Sequence, residues 1–371
     1  MMGIAENARQ VEKSYLRMAE GAKAIVDSLD APVGLTPKEL VWSLNKTNLY
    51  RYTPTKPSGE RLPVPLLLVY ALINRTFIFD LAPGRSFVEF MVGEGFDVYL
   101  LDWGRPGPED RNTSFDDYVT QYLYRAVRKL LRISGAPDLS ILGYCLGATI
   151  STVFTALYPE VPIRNLILLT APIDFAEQPE SSLALWLQEG RLDVDRLVES
   201  FDNVPGELIR HWAKMLKPVE NFVGAYVNLF RQLEDKSAVQ GWQAVNRWVE
   251  DVVPVAGAAF RQFVMDYVRA NKLVRGQLEI DGRPVDLGRI RAAVLNVVAQ
   301  YDHLVAQSQA QSIMGLISSQ DKEMRVIPST HVGIMASARA RDKLWPEIAS
   351  WLEPRSGRLP LSAKAGASSA T

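Results

Sequence analysis

Short, unbroken apolar runs separated by helical stretches recur along this chain, and they limit what it can fold into. Leu66-Leu67-Leu68-Val69-Tyr70 follows Pro65, and Val98-Tyr99-Leu100-Leu101 leads into Asp102-Trp103-Gly104. Similar runs stand at 139–142 and 166–169. Runs of this length without polar alternation read as strands buried on both faces. Helical spacing fills 86–92, 115–133 and 148–157 between them. Strands alternating with helices predict an α/β fold: a mostly parallel sheet of right-handed βαβ units with helices on both faces.

The rhythm stops near Asp174 and resumes with a strand at 293–299, a helix at 308–316, a strand at 324–327 and a last helix at 339–352. The intervening stretch, 181–282, shows helical patterns and no strand of the earlier kind. It carries Trp186, Trp212, Trp242 and Trp248. The expectation is a helical cap over 181–282, inserted into a core made of 33–180 and 283–354. Over 1–32, Val11, Tyr15, Met18, Ala22, Ile25 and Leu29 recur at steps of four and three, the mark of an amphipathic helix. Its apolar face is expected to pack on its own domain, with a docking face for a partner subunit as the alternative. The Ser/Ala/Gly-rich stretch 355–371 is expected to be a disordered tail.

Composition removes whole classes of function. Lys plus Arg number 41 against 42 Asp plus Glu, so the basic excess of a nucleic-acid binder is missing. A single Cys permits neither an internal disulfide nor a Cys-based zinc site. Met1–Gln10 has no apolar targeting core, and no apolar stretch approaches the roughly 20 residues a spanning helix needs. A cytoplasmic protein with a reduced thiol is expected.

The lone Cys lies in Gly143-Tyr144-Cys145-Leu146-Gly147, between an apolar strand and a helix. That is the setting of a nucleophile elbow, in which a tight turn exposes the nucleophile and flanking glycines make room for it. Taken by itself, the motif also suits an inert buried Cys at a βα turn. Later residues tip the balance. Asp302 follows the strand at 293–299, and His331 follows the next strand. Nucleophile, acid, then His is the triad order of an α/β-hydrolase fold. His303 adjoins Asp302 and is a rival base, but neighbours in a turn rarely aim at one target. His331 is therefore read as the base, Asp302 as its orienter and His303 as an auxiliary or structural residue. His211 reads as a packed or surface residue of the cap, and Asp102, which precedes the nucleophile, as a turn carboxylate. The N–H of Leu146 is one expected oxyanion donor. The second is placed in the loop Leu72-Ile73-Asn74, at Ile73.

These residues carry a family resemblance. Pro65-Leu66-Leu67-Leu68-Val69-Tyr70-Ala71-Leu72-Ile73-Asn74-Arg75, Phe79-Asp80-Leu81-Ala82-Pro83-Gly84-Arg85-Ser86, Val98 to Gly104, Gly143 to Gly147, Asp302-His303-Leu304-Val305 and His331-Val332-Gly333 stand in the order found in polyhydroxyalkanoate synthases. By size the chain resembles the short catalytic subunits of the two-subunit types, class III or class IV. The resemblance runs over about 33–353. It places the family's catalytic Cys, Asp and His on Cys145, Asp302 and His331. The chain departs from the family at Ala148, where Gly is usual, at Val305-Ala306, where Pro is usual, and at Thr330, where Gly precedes the His.

What the resemblance implies is polymerisation of (R)-3-hydroxyacyl-CoA into a polyester with release of CoA. It also implies a second synthase subunit, a homo-oligomer and residence at the polyester granule surface. No metal or organic cofactor is called for. Residue types alone leave a Cys-triad hydrolase open: a dienelactone-hydrolase-like enzyme, a thioesterase or an intracellular polyester depolymerase. A non-catalytic granule-surface paralogue is a rival of another class, against which the complete set of Cys145, Asp302 and His331 speaks.

Overall fold

The computed structural model describes residues 2–176, 187–188, 190–216 and 224–357. Its strands are β1 (Lys38–Leu44), β2 (Thr47–Tyr52), β3 (Leu66–Val69), β4 (Val98–Asp102), β5 (Leu139–Tyr144), β6 (Ile163–Leu169), β7 (Glu279–Ile280), β8 (Arg283–Pro284), β9 (Ala293–Ala299) and β10 (Lys322–Ile327). Eight of them form one sheet in the order β1-β2-β4-β3-β5-β6-β9-β10. From β4 to β10 every neighbouring pair is parallel, whereas β1 and β2 join antiparallel at one edge. The expected α/β architecture is present.

The central strands are the apolar runs, and burial on both faces explains them. Every residue of β3 and β5 is buried. Ser140 in β5 accepts a hydrogen bond of 2.9 Å from Asn165 of β6, so it is not stranded in the core. Helices cover both sides. The long one over 115–134 begins with a capping box, Ser114 and Asp117 each bonding the other's backbone N–H, and ends at Gly135 with φ 66°.

The expected strands leave out β1 and β2. These lie at the sheet edge and meet the core on one face only, so they lack the continuous apolar signature. β2 instead buries Thr47, Leu49 and Tyr52 between half-buried neighbours. The helix expected over 308–316 is broken into Gln307–Gln311 and Ile313–Leu316.

Between β6 and β9 the chain runs through the helices Val194–Phe201, Gly206–Met215, Ala225–Arg231, Lys236–Glu250 and Gly257–Gln262. A two-residue hairpin, β7–β8, closes the segment; it is not a buried apolar strand of the earlier kind. It turns on Asp281 and Gly282, both at positive φ as such a turn requires, and two-residue strands are too short for a periodic signal. The first residues of the expected cap, 181–186 with Trp186, and positions 358–371 of the expected tail lie outside the described residues.

The N-terminal helix, Met2–Asp27, forms as expected, but its apolar stripe does not pack on its own domain. Val11 and Tyr15 are each 70% exposed, and Met18 and Leu29 are exposed as well. The buried contacts come from small residues near its end. A Cβ at Gly21 would stand 2.1 Å from the Phe230 ring, so a larger residue there would have to push that ring aside. Ala24 and Ser28 follow on the same face, where their backbone and hydroxyl oxygens accept from Gln243 and Asn246 of the Lys236–Glu250 helix. Periodicity showed that an apolar face exists. It did not show which face has a partner in this chain.

Candidate active site

β5 delivers Tyr144 into the core, and the chain turns at Cys145 with φ 55° and ψ −130° before the helix Leu146–Leu157 begins. A non-glycine residue at such angles is strained and needs its surroundings to hold it. Here the Cys145 N–H donates to the Leu169 carbonyl of β6 at 2.9 Å. The two glycines of the motif have steric reasons. A Cβ on Gly143 would stand 2.5 Å from the Ala148 Cα, and one on Gly147 2.3 Å from the Val69 carbonyl oxygen. Both obstacles are backbone. Gly147→Ala is therefore expected to lower stability by about 2 kcal/mol or more, read as a fall in the urea midpoint. An unchanged midpoint would show that the elbow has slack.

Asp302 and His331 meet because β9 and β10 pair in parallel, ending together at the Ala299–Ile327 register. The loops leaving both strands stay linked, with the Tyr301 N–H donating to the Ser329 carbonyl at 2.9 Å. His331 Nδ1 then lies 2.7 Å from Asp302 Oδ2. The other carboxylate oxygen, Oδ1, accepts the N–H groups of Leu304 at 2.8 Å and Val305 at 2.9 Å, which fixes the plane of the carboxylate. Tyr144, next to the nucleophile, stacks on the His331 ring at 5.4 Å, and its hydroxyl donates to the His331 carbonyl at 2.8 Å.

His331 is buried, and burial alone pulls its pKa down. Asp302 and Cys145 together outweigh burial, and the imidazole is held well above its ordinary 6.5. With Nδ1 engaged by Asp302, Nε2 is the ring nitrogen left for Cys145, which acts electrostatically on the imidazole. Such a set can draw the proton from a thiol, with a carboxylate that steadies the charge on the imidazole.

A cavity of about 370 Å³ opens on Cys145 and His331. Leu146, Ile73 and His303 also line it, so the expected oxyanion and auxiliary positions face the same space. As the first residue of its helix, Leu146 has no intrahelical acceptor for its N–H. The other two expectations resolve simply. His211 is exposed on the Gly206–Met215 helix, and Asp102 accepts the Gly104 N–H at 3.0 Å as a turn carboxylate.

Sequence reasoning did not single out Trp248 and Asn74. Trp248 lines the cavity and donates its indole N–H to the Arg75 carbonyl at 2.8 Å, while the Asn74 amide reaches the Trp248 carbonyl at 3.4 Å. These bonds tie the helical segment to the loop that carries Ile73. The cluster of Trp over 181–282 was the available signal, but spacing alone does not say which ring faces the cavity.

The sheet order, the elbow and the Cys–His–Asp arrangement define an α/β-hydrolase-fold protein, and the sequence profile of that fold family matches residues 48–337. Solved structures agree on the fold. An α/β-hydrolase-fold protein from Nakamurella multipartita superposes with a TM-score of 0.50 at 15% identity, over 86% of this chain and 100% of that one. An esterase from Exiguobacterium antarcticum gives 0.50 at 12% identity, over 84% and 98%.

Within that fold, the chain belongs to the poly(3-hydroxyalkanoate) polymerase family. It is 35% identical over 339 residues to the polymerase subunit PhaC of Allochromatium vinosum, covering 91% of this chain and 94% of that protein. For the PhaC subunit of Synechocystis the values are 33% over 362 residues, 95% and 94%. For that of Haloferax mediterranei they are 38% over 327 residues, 88% and 66%. Among the described residues no helix is long and apolar enough to cross a membrane.

Proposed function

We propose that this chain is the catalytic subunit of a poly(3-hydroxyalkanoate) polymerase, moving (R)-3-hydroxyacyl groups from CoA to a growing polyester through a thioester on Cys145. The observation that carries the reading is a thiol on a strained elbow sharing one cavity with an imidazole that Asp302 orients, in a member of this family. The near-complete mutual coverage with the Allochromatium subunit supports the short type of subunit.

The steps balance with these groups alone. His331 takes the thiol proton, and the Cys145 thiolate attacks the acyl-CoA carbonyl. The N–H groups of Leu146 and Ile73 receive the negative oxygen of the tetrahedral intermediate. CoA leaves with the proton held by His331. One thioester replaces another, so the acyl group remains activated. His331, with His303 as its helper on the cavity wall, next takes the proton of a 3-hydroxyl. That oxygen displaces Cys145 and forms the ester. General-base help of this kind is worth roughly a hundred- to ten-thousandfold. The apolar wall of the helical segment keeps water from the acyl-enzyme. The cycle calls for no metal or organic cofactor.

We also assign to this chain a second subunit, self-association and attachment to the polyester granule in the cytoplasm. The exposed stripe Val11, Tyr15 and Met18 supports a partner surface on the N-terminal helix. The hydrolase alternative loses ground because the relatives above are polymerase subunits.

The test supplies 3-hydroxybutyryl-CoA to the purified chain, with and without a co-expressed second subunit, and follows free thiol and precipitated polyester together. The expected result is CoA release matched by polymer. CoA release with only free hydroxy acid would overturn the polymerase reading.

A further inference from the structure

The loop that leaves β3 has little backbone support of its own. Among the described residues, the main chain of 71–74 joins no main-chain hydrogen bond outside the sheet. Asn74 sits at φ 65°, in the left-handed region that Asn enters more easily than most residues. What grips the end of this loop comes from the helical segment. The Trp248 indole N–H donates to the Arg75 carbonyl at 2.8 Å, and the Asn74 amide donates back to the Trp248 carbonyl at 3.4 Å. The two bonds pair one residue of the Lys236–Glu250 helix with two consecutive residues of the loop. The Trp248 ring is buried and meets the Tyr70 ring edge-on at 6.3 Å, just ahead of the loop. The end of the helix is anchored in turn. Its C-cap, Asp251, pairs with Arg105 at 2.9 Å, and Arg247 donates to the Ala31 carbonyl. Ile73, Asn74, Trp248 and Cys145 all line one cavity.

We propose that Trp248 is a positioning residue for acyl transfer: by clasping Asn74 and Arg75 it fixes the turn that aims the Ile73 N–H at the carbonyl oxygen under attack. The inference rests on the oxyanion position assigned to Ile73 above. An oxyanion donor works only when it is aimed beforehand at the place where charge develops. A loop held by packing alone can turn its peptide planes, whereas one pinned at the carbonyl two residues further on cannot do so freely. In the step itself the Cys145 sulfur bonds to the acyl carbon and the π pair moves onto oxygen. When that pair returns, the bond to the leaving group breaks. Trp248 touches none of these atoms and acts through the loop. The helical segment is therefore a working part of the acylation machinery as well as a wall against water.

The test compares two reactions of Cys145 in the wild type, Trp248→Phe and Asn74→Gly. The first is single-turnover acylation by p-nitrophenyl butyrate, read as nitrophenolate released. The second is alkylation by iodoacetamide, followed across pH, which needs the thiolate but attacks a saturated carbon and develops no oxyanion. Phenylalanine keeps the ring and removes the indole donor. Glycine removes the Asn74 amide and tolerates the positive φ. Trp248→Phe is expected to slow the saturating acylation rate roughly tenfold to a hundredfold, somewhat less than losing an oxyanion donor outright. Its half-saturating concentration and its alkylation profile should match the wild type. Asn74→Gly is expected to show the same split to a smaller degree. Wild-type acylation in either variant would overturn the proposal. So would acylation and alkylation slowed by one factor, the pattern of a damaged elbow, or a change confined to the half-saturating concentration, the pattern of a binding wall. The nitrophenyl ester carries neither CoA nor a hydroxyl, so polymer formation from 3-hydroxybutyryl-CoA is scored separately. A wild type that shows this split against its variants but makes no polymer refutes the polymerase reading and leaves this inference standing.

Discussion

Cys145→Ala is expected to abolish both CoA release and polymer formation, a loss on the order of ten-thousandfold or more. The thiol shares its cavity with His331, and no other Cys exists in the chain to take its place. The variant should fold, because alanine carries a Cβ as cysteine does and adds no atom to the elbow. A normal urea midpoint with lost turnover is the expected pair of results. Cys145→Ser separates the role of sulfur from that of position. Its hydroxyl gives up a proton to His331 far less readily, and any acyl group it takes becomes an oxygen ester with little tendency to move on. A small residual CoA release and an accumulated acyl-enzyme, seen as a mass increase on the peptide that contains residue 145, are expected. An alanine variant that releases CoA at the wild-type rate would remove Cys145 from the mechanism.

The second large effect is expected for Asp302→Asn, a fall of roughly a hundred- to ten-thousandfold in the rate of CoA release. Two causes act together. An amide can place its NH₂ toward Nδ1, which shifts the ring hydrogen to Nε2 and removes the acceptor that faces Cys145. One of the two groups that offset burial has also lost its charge, so the imidazole pKa should drop. An NMR titration of the His331 ring reads this directly: it stays protonated well above pH 6.5 in the wild type and loses its proton at lower pH in the variant. The stability link has a fixed sign. A pKa raised on folding contributes stability that is complete below 6.5 and is lost as pH climbs through the folded value. The wild type's advantage over Asp302→Asn in urea should therefore shrink as pH rises across that window. An imidazole that titrates alike in both proteins would show that Asp302 does not govern it.

How much of this was legible beforehand follows from how each feature is encoded. β3, β4, β5, β6 and β9 are buried on both faces, so their sequences are nearly continuous apolar runs and read plainly. β1 and β2 meet the core on one side at an antiparallel edge, and their mixed composition resembles that of a loop. Cys145, Asp302 and His331 were found through chain order, because each follows a strand whose carboxyl end faces the same side of the sheet. Trp248, Arg210 and Lys214 reach the cavity from helices between β6 and β9. Nothing in local periodicity sets which face of such a helix turns toward a cavity made by another part of the chain.

By itself the sequence determined the α/β alternation, the elbow around the lone Cys, and the order of nucleophile, acid and His. These are local or ordinal properties, set by burial period, backbone sterics and the succession of strands. Only the tertiary structure brought the Asp302 carboxylate within 2.7 Å of His331 Nδ1, since that contact depends on the parallel β9–β10 register. It also decided that the stripe on the N-terminal helix is left exposed while Gly21, Ala24 and Ser28 make the contacts. The physical reason is the same in both cases. A contact belongs to two surfaces, and the sequence of either segment describes only one of them.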